Sequence, residues 1–328
     1  MELRTRFKIN PSGRKITYDD PVMFIGSCFA TSIGKQFETG HLPVMINPSG
    51  TVYNPVSVIS TLDAIINARE YTENDLYNYD GKWLSFDHYT DFSSDSKLET
   101  LELINKRLLK AREFISGASF LFITFGTARV YRWKETGKIV SNCHKIPAAQ
   151  FTHELLSVDD IVTMWISRLN MLQSQYPRLK IVFTMSPVRH WKDGPHGNQV
   201  SKSTLFLAVE KLLDHPSAPG YFPAYELVMD DLRDYRFYDD DMLHPSETAI
   251  EYIWNAFSGC YFDDDTIELW REVSKISMAV SHRIQSGSKA SIKAFAEAII
   301  KKIDTLSAKR RSLDLDSERK YFCDLLGG

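Results

Sequence analysis

The sequence predicts an α/β protein with a doubly wound core. Short apolar runs suited to strands buried on both faces alternate with amphipathic helical patterns, the signature of a mostly parallel sheet. Three such runs stand out: residues 23–26, residues 118–125 (Ala-Ser-Phe-Leu-Phe-Ile-Thr-Phe) and residues 179–185 (Leu-Lys-Ile-Val-Phe-Thr-Met), the last ending at Ser186-Pro187. With 328 residues, 43% of them apolar, and 19 Phe, 15 Tyr and 6 Trp, the chain can fill a sizeable core, which excludes global disorder.

The helices follow from spacing. Residues 55–69 place Val58, Leu62, Ile65 and Ile66 on one face, and residues 97–116 do the same with Leu101, Ile104, Leu108 and Ile115. Residues 157–176 open with a cap at Ser157, followed by Asp159 and Asp160, and then space Ile161, Met164, Trp165, Leu169 and Leu172 helically. Two hairpins interrupt the alternation. Asp80-Gly81 turns the chain within residues 78–86, and Thr136-Gly137 does so within residues 129–140. Past Gly259, residues 266–285 and 289–306 form two amphipathic stretches separated by Ser-Gly-Ser, the second with Ile292, Phe295, Ile299 and Ile303 in register. A charged tail is expected from Lys309 onward. The expected organisation is a catalytic core over residues 1–260 and a C-terminal helical hairpin over residues 261–328, the latter a packing element or a homodimer contact.

A formal charge of −3 provides no basic field for nucleic acid or for an anionic membrane. No apolar run approaches the roughly 18 residues of a membrane span, and the first ten residues lack a signal peptide's apolar segment. Cys28, Cys143, Cys260 and Cys323 form no C-x-x-C pair, which reads as reduced thiols of a cytoplasmic protein without a structural metal. No Walker motif and no G-x-G-x-x-G follows a strand, so neither a nucleotide nor another cofactor is expected.

Two segments carry chemistry. Gly26-Ser27-Cys28 leaves the first strand at a helix start, where backbone N–H groups and the helix dipole favour negative charge. Asp241-Met-Leu-His244 sets a carboxylate three residues before an imidazole, so that Asp241 can hold one ring nitrogen while the other faces a nucleophile. The plain alternatives are a capped turn with a small buried thiol, and a solvated acidic loop with a surface histidine. Ser186-Pro-Val-Arg189-His190 follows the third strand; Arg189 suits an anionic group, His190 suits substrate orientation, and residues 191–202 read as a lid. Arg233 and Arg236 belong to a stretch of charges and aromatics, residues 225–238, that braces Asp241 or reaches the pocket. The Cys143-His144 pair has no second pair at ligand spacing, which argues against zinc.

A nucleophile near the N-terminus followed by Asp-x-x-His near the end of the core resembles the SGNH/GDSL hydrolase superfamily. More closely, the chain resembles the GSCFA family, whose name is spelled by Gly26-Ser27-Cys28-Phe29-Ala30. Gly50-Thr-Val-Tyr53-Asn54-Pro55, Thr124-Phe-Gly126-Thr127-Ala128, Asn142-Cys143-His144-Lys145 and Ser186-Pro187-Val188-Arg189-His190 extend the likeness over residues 20–258. It implies an SGNH-hydrolase-like three-layer α/β/α sandwich and an acyl-ester hydrolase or acyltransferase, acting on a small-molecule or carbohydrate acyl substrate. Where the superfamily reads Gly-Asp-Ser, this chain has Ser27 in the Asp position and Cys28 in the Ser position. Cys28 attacks, or Ser27 does with a one-residue shift, or the chain is a sugar- or acyl-cofactor-binding module on a degenerate fold. The resemblance points to Gly50 as oxyanion donor, with Gly126-Thr127 in place of the Gly-x-Asn block and Asn142 as the source of the absent amide. Asn54 and His144 complete the expected substrate-binding set.

Overall fold

In the computed structural model, which describes residues 4–281, 289–310 and 312–327, the apolar runs become central strands. β1 (Val22–Gly26) is followed by α1 (Cys28–Thr39), β2 (Val44–Ile46) and α2 (Pro55–Ile66). The hairpin of β3 (Tyr77–Tyr79) and β4 (Lys82–Leu84) leads to α3 (Lys97–Gly117) and β5 (Phe120–Phe125). Next come β6 (Arg129–Trp133), β7 (Ile139–Val140), β8 (Phe151–Leu155), α4 (Val158–Gln175), β9 (Lys180–Met185), α5 (Gly194–Leu213) and β10 (Gly220–Phe222). A short α6 (Ala224–Glu226) runs into a π turn, and α7 (Glu247–Tyr261), α8 (Asp264–Ser281), α9 (Lys289–Lys309) and α10 (Asp316–Gly327) follow.

β1, β2, β5, β9 and β10 form one sheet in the order β2-β1-β5-β9-β10, with every neighbour parallel. The order reverses between β1 and β5, and at such a switch point a crevice opens beyond the carboxyl ends of the strands. Alternate strand residues feed two cores. Phe24, Phe122, Val182 and Phe222 face α1, α7 and the C-terminal helices, whereas Ile25, Ile123, Phe125 and Phe183 face α2, α3, α4 and α5. Each such side chain contributes about 1.5–3 kcal/mol on burial, so β1 and β5 are fixed from both sides. The result is a three-layer α/β/α sandwich.

Both hairpins form. Asp80 and Gly81 turn the first with positive φ (51° and 77°), the type I′ geometry that Asp-Gly favours. β8 joins the second to give a small β7-β6-β8 sheet whose Trp133 and Phe151 pack with Tyr77 and Phe86. The expected C-terminal hairpin corresponds to α8 and α9, and its Ser-Gly-Ser turn lies outside the described residues. The expected charged tail is instead largely helical: α10 buries Phe322, and Leu313 and Leu315 before it are buried too. α8 is continuous with the main core. Its Trp270 indole N–H donates to the Gln36 carbonyl of α1 (2.8 Å), and Val273 and Ile276 join the cluster of Phe24. Residues 191–202, expected as a lid, form one 3₁₀ turn and the first turns of α5. No helix among the described residues is long and apolar enough to cross a membrane.

Candidate active site

The end of β1 is built around a close approach. Gly26 has φ +150°, and a Cβ on it would lie 2.2 Å from the Thr124 carbonyl oxygen, so β1 can meet β5 there only as glycine. Its N–H donates to Asn47 Oδ1 (2.8 Å), while Asn47 Nδ2 donates to Thr31 Oγ1 (2.9 Å), tying the turn to α1. Ser27 is buried and is the cap of α1, its Oγ accepting the Phe29 N–H (3.3 Å). Cys28 is the first residue of the helix and is partly exposed. Burial pushes its thiol pKa up, and the nearby Asp241 charge adds to that. The backbone N–H groups of Phe29 and Cys28, and the Lys202 charge, pull it down.

Asp241 and His244 occupy the tight loop before α7, whose cap is Ser246. The Asp239 N–H donates to the His244 carbonyl (2.8 Å), closing the loop over Met242, which has φ +59°. Asp241 Oδ1 accepts the N–H groups of Leu243 (2.8 Å) and His244 (2.9 Å), and Oδ2 lies 2.5 Å from His244 Nδ1. Those backbone and imidazole donors hold the carboxyl down at about 2. A carboxylate on Nδ1 fixes the tautomer that leaves Nε2 as an acceptor. Both side chains are about half exposed.

Near Cys28 lies Lys202 of α5, 1% exposed, donating from Nζ to the Ser186 carbonyl (2.6 Å) and 5.6 Å from the Tyr225 ring centre. Burial pulls this amine down to about 7; Arg189 pushes the same way and Cys28 opposes. The His190 ring meets the Tyr53 ring edge-on at 5.5 Å, and the His190 backbone N–H donates to Asn198 Oδ1 (2.9 Å). Burial first, then Lys202 and His244, hold the imidazole down at about 4, so it is neutral at ordinary pH. The Tyr53 phenol is pushed up by burial and by Cys28. A cleft of about 650 Å³ opens beside Asp241, lined among others by Arg189, Trp191, Arg233, Tyr235 and Tyr238. Arg236 instead faces a neighbouring groove with Arg4 and Asp231.

The remaining expected residues are placed differently. The Gly50 N–H is committed to the Asn47 carbonyl (2.8 Å), and its missing Cβ makes room for Tyr89, whose Cβ lies 2.2 Å from the Cβ position. The Gly126 and Thr127 N–H groups both donate to the Tyr53 carbonyl (2.7 and 3.0 Å), and Thr127 Oγ1 bonds Ser201 Oγ (2.9 Å). A Cβ on Gly126 would lie 3.1 Å from His190 Nε2, so this glycine makes room for that ring. Asn54 caps α2 through the Ser57 N–H (2.9 Å). Asn142 reaches Thr90 Oγ1 (3.3 Å), and His144 Nε2 bonds the Ser85 carbonyl (2.9 Å) against Phe86, which assigns both to the small-sheet side of the molecule. Cys28 is therefore brought near both Lys202 and Asp241, Lys202 near Arg189, and His190 near Lys202 and His244, while Gly50, Asn54, Asn142 and His144 shape loops. Among the described residues no cluster of three His, Cys, Asp or Glu is placed to hold a metal.

Sequence reasoning missed Lys202, Tyr53, Asn47 and Asn198 as site residues. Lys202 had a signal: it stands in the apolar stripe of α5 with Leu205, Val209 and Leu212, where a lysine is out of place. In comparison with known proteins, the model of the GSCFA family matches residues 21–257. No curated protein matches the chain.

Proposed function

The chain belongs to the GSCFA family, and from that premise we propose an acyl-transfer enzyme of the SGNH/GDSL-hydrolase kind. Its substrate class is an acyl ester, in particular an acylated carbohydrate. Cys28 is the nucleophile, His244 the general base and then acid, and Asp241 the group that orients the imidazole. The observation that carries this reading is the Asp241–His244 pair, held at 2.5 Å by a carboxylate that also accepts two backbone N–H groups. Asp241 lies close enough to Cys28 for its charge to raise the thiol pKa. Ser27 is set aside as nucleophile because its Oγ is buried and spent on capping α1.

The chemistry follows from the protonation states. The resting thiol is protonated, so His244 Nε2 takes its proton as Sγ attacks the acyl carbonyl carbon. The negative charge formed on the carbonyl oxygen meets the Cys28 N–H and the positive end of the α1 dipole. Collapse breaks the ester C–O bond, His244 returns the proton to the departing alcohol oxygen, and a thioester on Cys28 remains. Water, or the hydroxyl of an acceptor, then attacks that thioester with His244 again as base; the C–S bond breaks, the acid or new ester leaves, and His244 returns the proton to Cys28 Sγ. A binding module without turnover is favoured by one observation, the commitment of the Gly50 and Gly126 amides to internal carbonyls.

Labelling separates the two. A fluorophosphonate and a mild thiol alkylator are applied to the protein and the modified residue is mapped by mass spectrometry. The expected result is alkylation at Cys28, and a 10²- to 10⁴-fold loss of ester turnover in His244→Ala with the fold intact, the usual size of a general-base contribution. Turnover unchanged in His244→Ala sinks the Asp241–His244 triad, a Cys28 that neither labels nor affects turnover when replaced by Ala sinks its role as nucleophile, and a folded protein with neither labelling nor turnover is the binding module.

A further inference from the structure

We propose that the cleft beside Asp241 and His244 binds a substrate group bearing anionic oxygens, a phosphate or a carboxylate, held by Arg189 and Arg233. This names the substrate class of the acyl-transfer site and rests on that reading for its chemistry, though not for its binding.

The cations of this cleft are uncompensated. The Arg189 Nε is buried with no hydrogen-bond partner, and its guanidinium stacks 5.3 Å from the Trp191 ring centre. Among the described residues, neither Arg189 nor Arg233 forms an ion pair, although both line the cleft. A buried donor left without an acceptor is unfavourable, and an incoming anion supplies the acceptor it lacks. The carboxylates of the same wall are already engaged. Asp241 accepts from His244 and from two backbone N–H groups. Asp234 accepts the Arg236 N–H (3.0 Å) and lies 4.0 Å from its guanidinium.

A titratable amine stands behind Arg189, and an anion bound beside it favours its charged form. Lys202 is fully buried close to Arg189, and its hydrogen bond goes to a carbonyl rather than a carboxylate. A guanidinium presents a planar fork of donors that matches phosphate and carboxylate oxygens. The moiety carrying the anion meets Trp191 and Tyr235, large rings left 51% and 76% exposed at the cleft wall. A cleft of about 650 Å³ accommodates a ligand of that size.

The test is calorimetric titration of the full chain with pyrophosphate and, separately, with succinate, at constant ionic strength set with sodium chloride. The expected result is saturable binding of at least one, weakened tenfold or more in Arg189→Gln, with unchanged melting of the variant confirming its fold. Binding of pyrophosphate alone assigns a phosphate, and binding of succinate alone assigns a carboxylate. Arg233→Gln is a second variant, expected to weaken the same titration, should Arg189→Gln fail to fold. No saturable heat from either anion, or equal binding in the folded variants, overturns the proposal. The titration does not read Cys28 chemistry, so a protein without ester turnover still tests it, and a protein that binds no anion still leaves the nucleophile standing.

Discussion

Lys202 is one of the groups that tune Cys28. A lysine 1% exposed gives up its hydration, and its electrostatic neighbours are the thiol, the Arg189 guanidinium and the Tyr225 ring, with the Ser186 carbonyl as hydrogen-bond partner. Burial favours the neutral amine, yet any negative charge forming at Cys28 favours the ammonium, so the two groups share a proton balance. The Lys202 charge is one of the influences that lower the thiol pKa, against burial, which raises it. Replacing Lys202 by Met removes that influence and leaves the burial. The midpoint of the pH profile for iodoacetamide alkylation of Cys28 is therefore expected to move to higher pH in Lys202→Met, with circular dichroism reporting the fold. An unmoved midpoint in a folded variant means that Lys202 serves only to hold the Ser186 carbonyl.

The start of α1 presents a hydroxyl and a thiol side by side, and the helix assigns them different tasks. Ser27 accepts the Phe29 N–H as the cap, which in comparable helices is worth about 1 kcal/mol. Ser27→Ala is expected to lower stability in urea by about that amount while Cys28 still alkylates. Loss of ester turnover with stability unchanged and Cys28 still alkylating would return the nucleophile to Ser27. Elements of this kind were legible where composition alone forces them. β1, β5 and β9 are apolar runs that only a sheet covered on both faces can hide, and Ser157 caps α4 as its sequence indicates. β2 and β10, three residues each, and β8, with Thr152 and His153 exposed, exist because a neighbour pairs with them, which no local pattern announces. The opening of α5 was hidden because Gly194-Pro195 reads as a loop, although a proline in the first helical turn gives up no hydrogen bond. The candidate oxyanion glycines illustrate the same limit. A missing side chain marks a close approach, and here Gly50 admits Tyr89 and Gly126 admits His190, not substrate.

Across the whole molecule, several histidines are buried and kept neutral, and this sets how the fold responds to acid. His88, 2% exposed, bonds Ser85 Oγ (2.9 Å) and packs between Tyr71 and Phe92; burial, then Arg69 and His144, push it down to about 3. His190 is held at about 4, and burial also lowers His144. An imidazole with a folded pKa below its unfolded value near 6.5 binds more protons in the unfolded chain between the two. Stability therefore rises with pH through that window, is fully present above about 6.5, and drains away as the pH falls toward the folded values. For His88 alone, moving from pH 7 to pH 5 removes roughly 2 kcal/mol at 1.36 kcal/mol per unit, and His190 adds to it in the same direction. Carboxylates with depressed values, Asp241 at about 2 among them, enter only below about pH 4. Lys202, lowered to about 7, acts in the alkaline window between that value and 10.5, again with stability rising as pH rises. Urea denaturation at pH 7 and pH 5 is thus expected to show a loss of several kcal/mol, reduced by roughly 2 kcal/mol in His88→Phe, which keeps a ring between Tyr71 and Phe92 but cannot titrate. Equal stability at the two pH values would mean that these imidazoles are charged in the folded protein, and that His190 brings a positive charge, not a neutral ring, to the wall of the cleft.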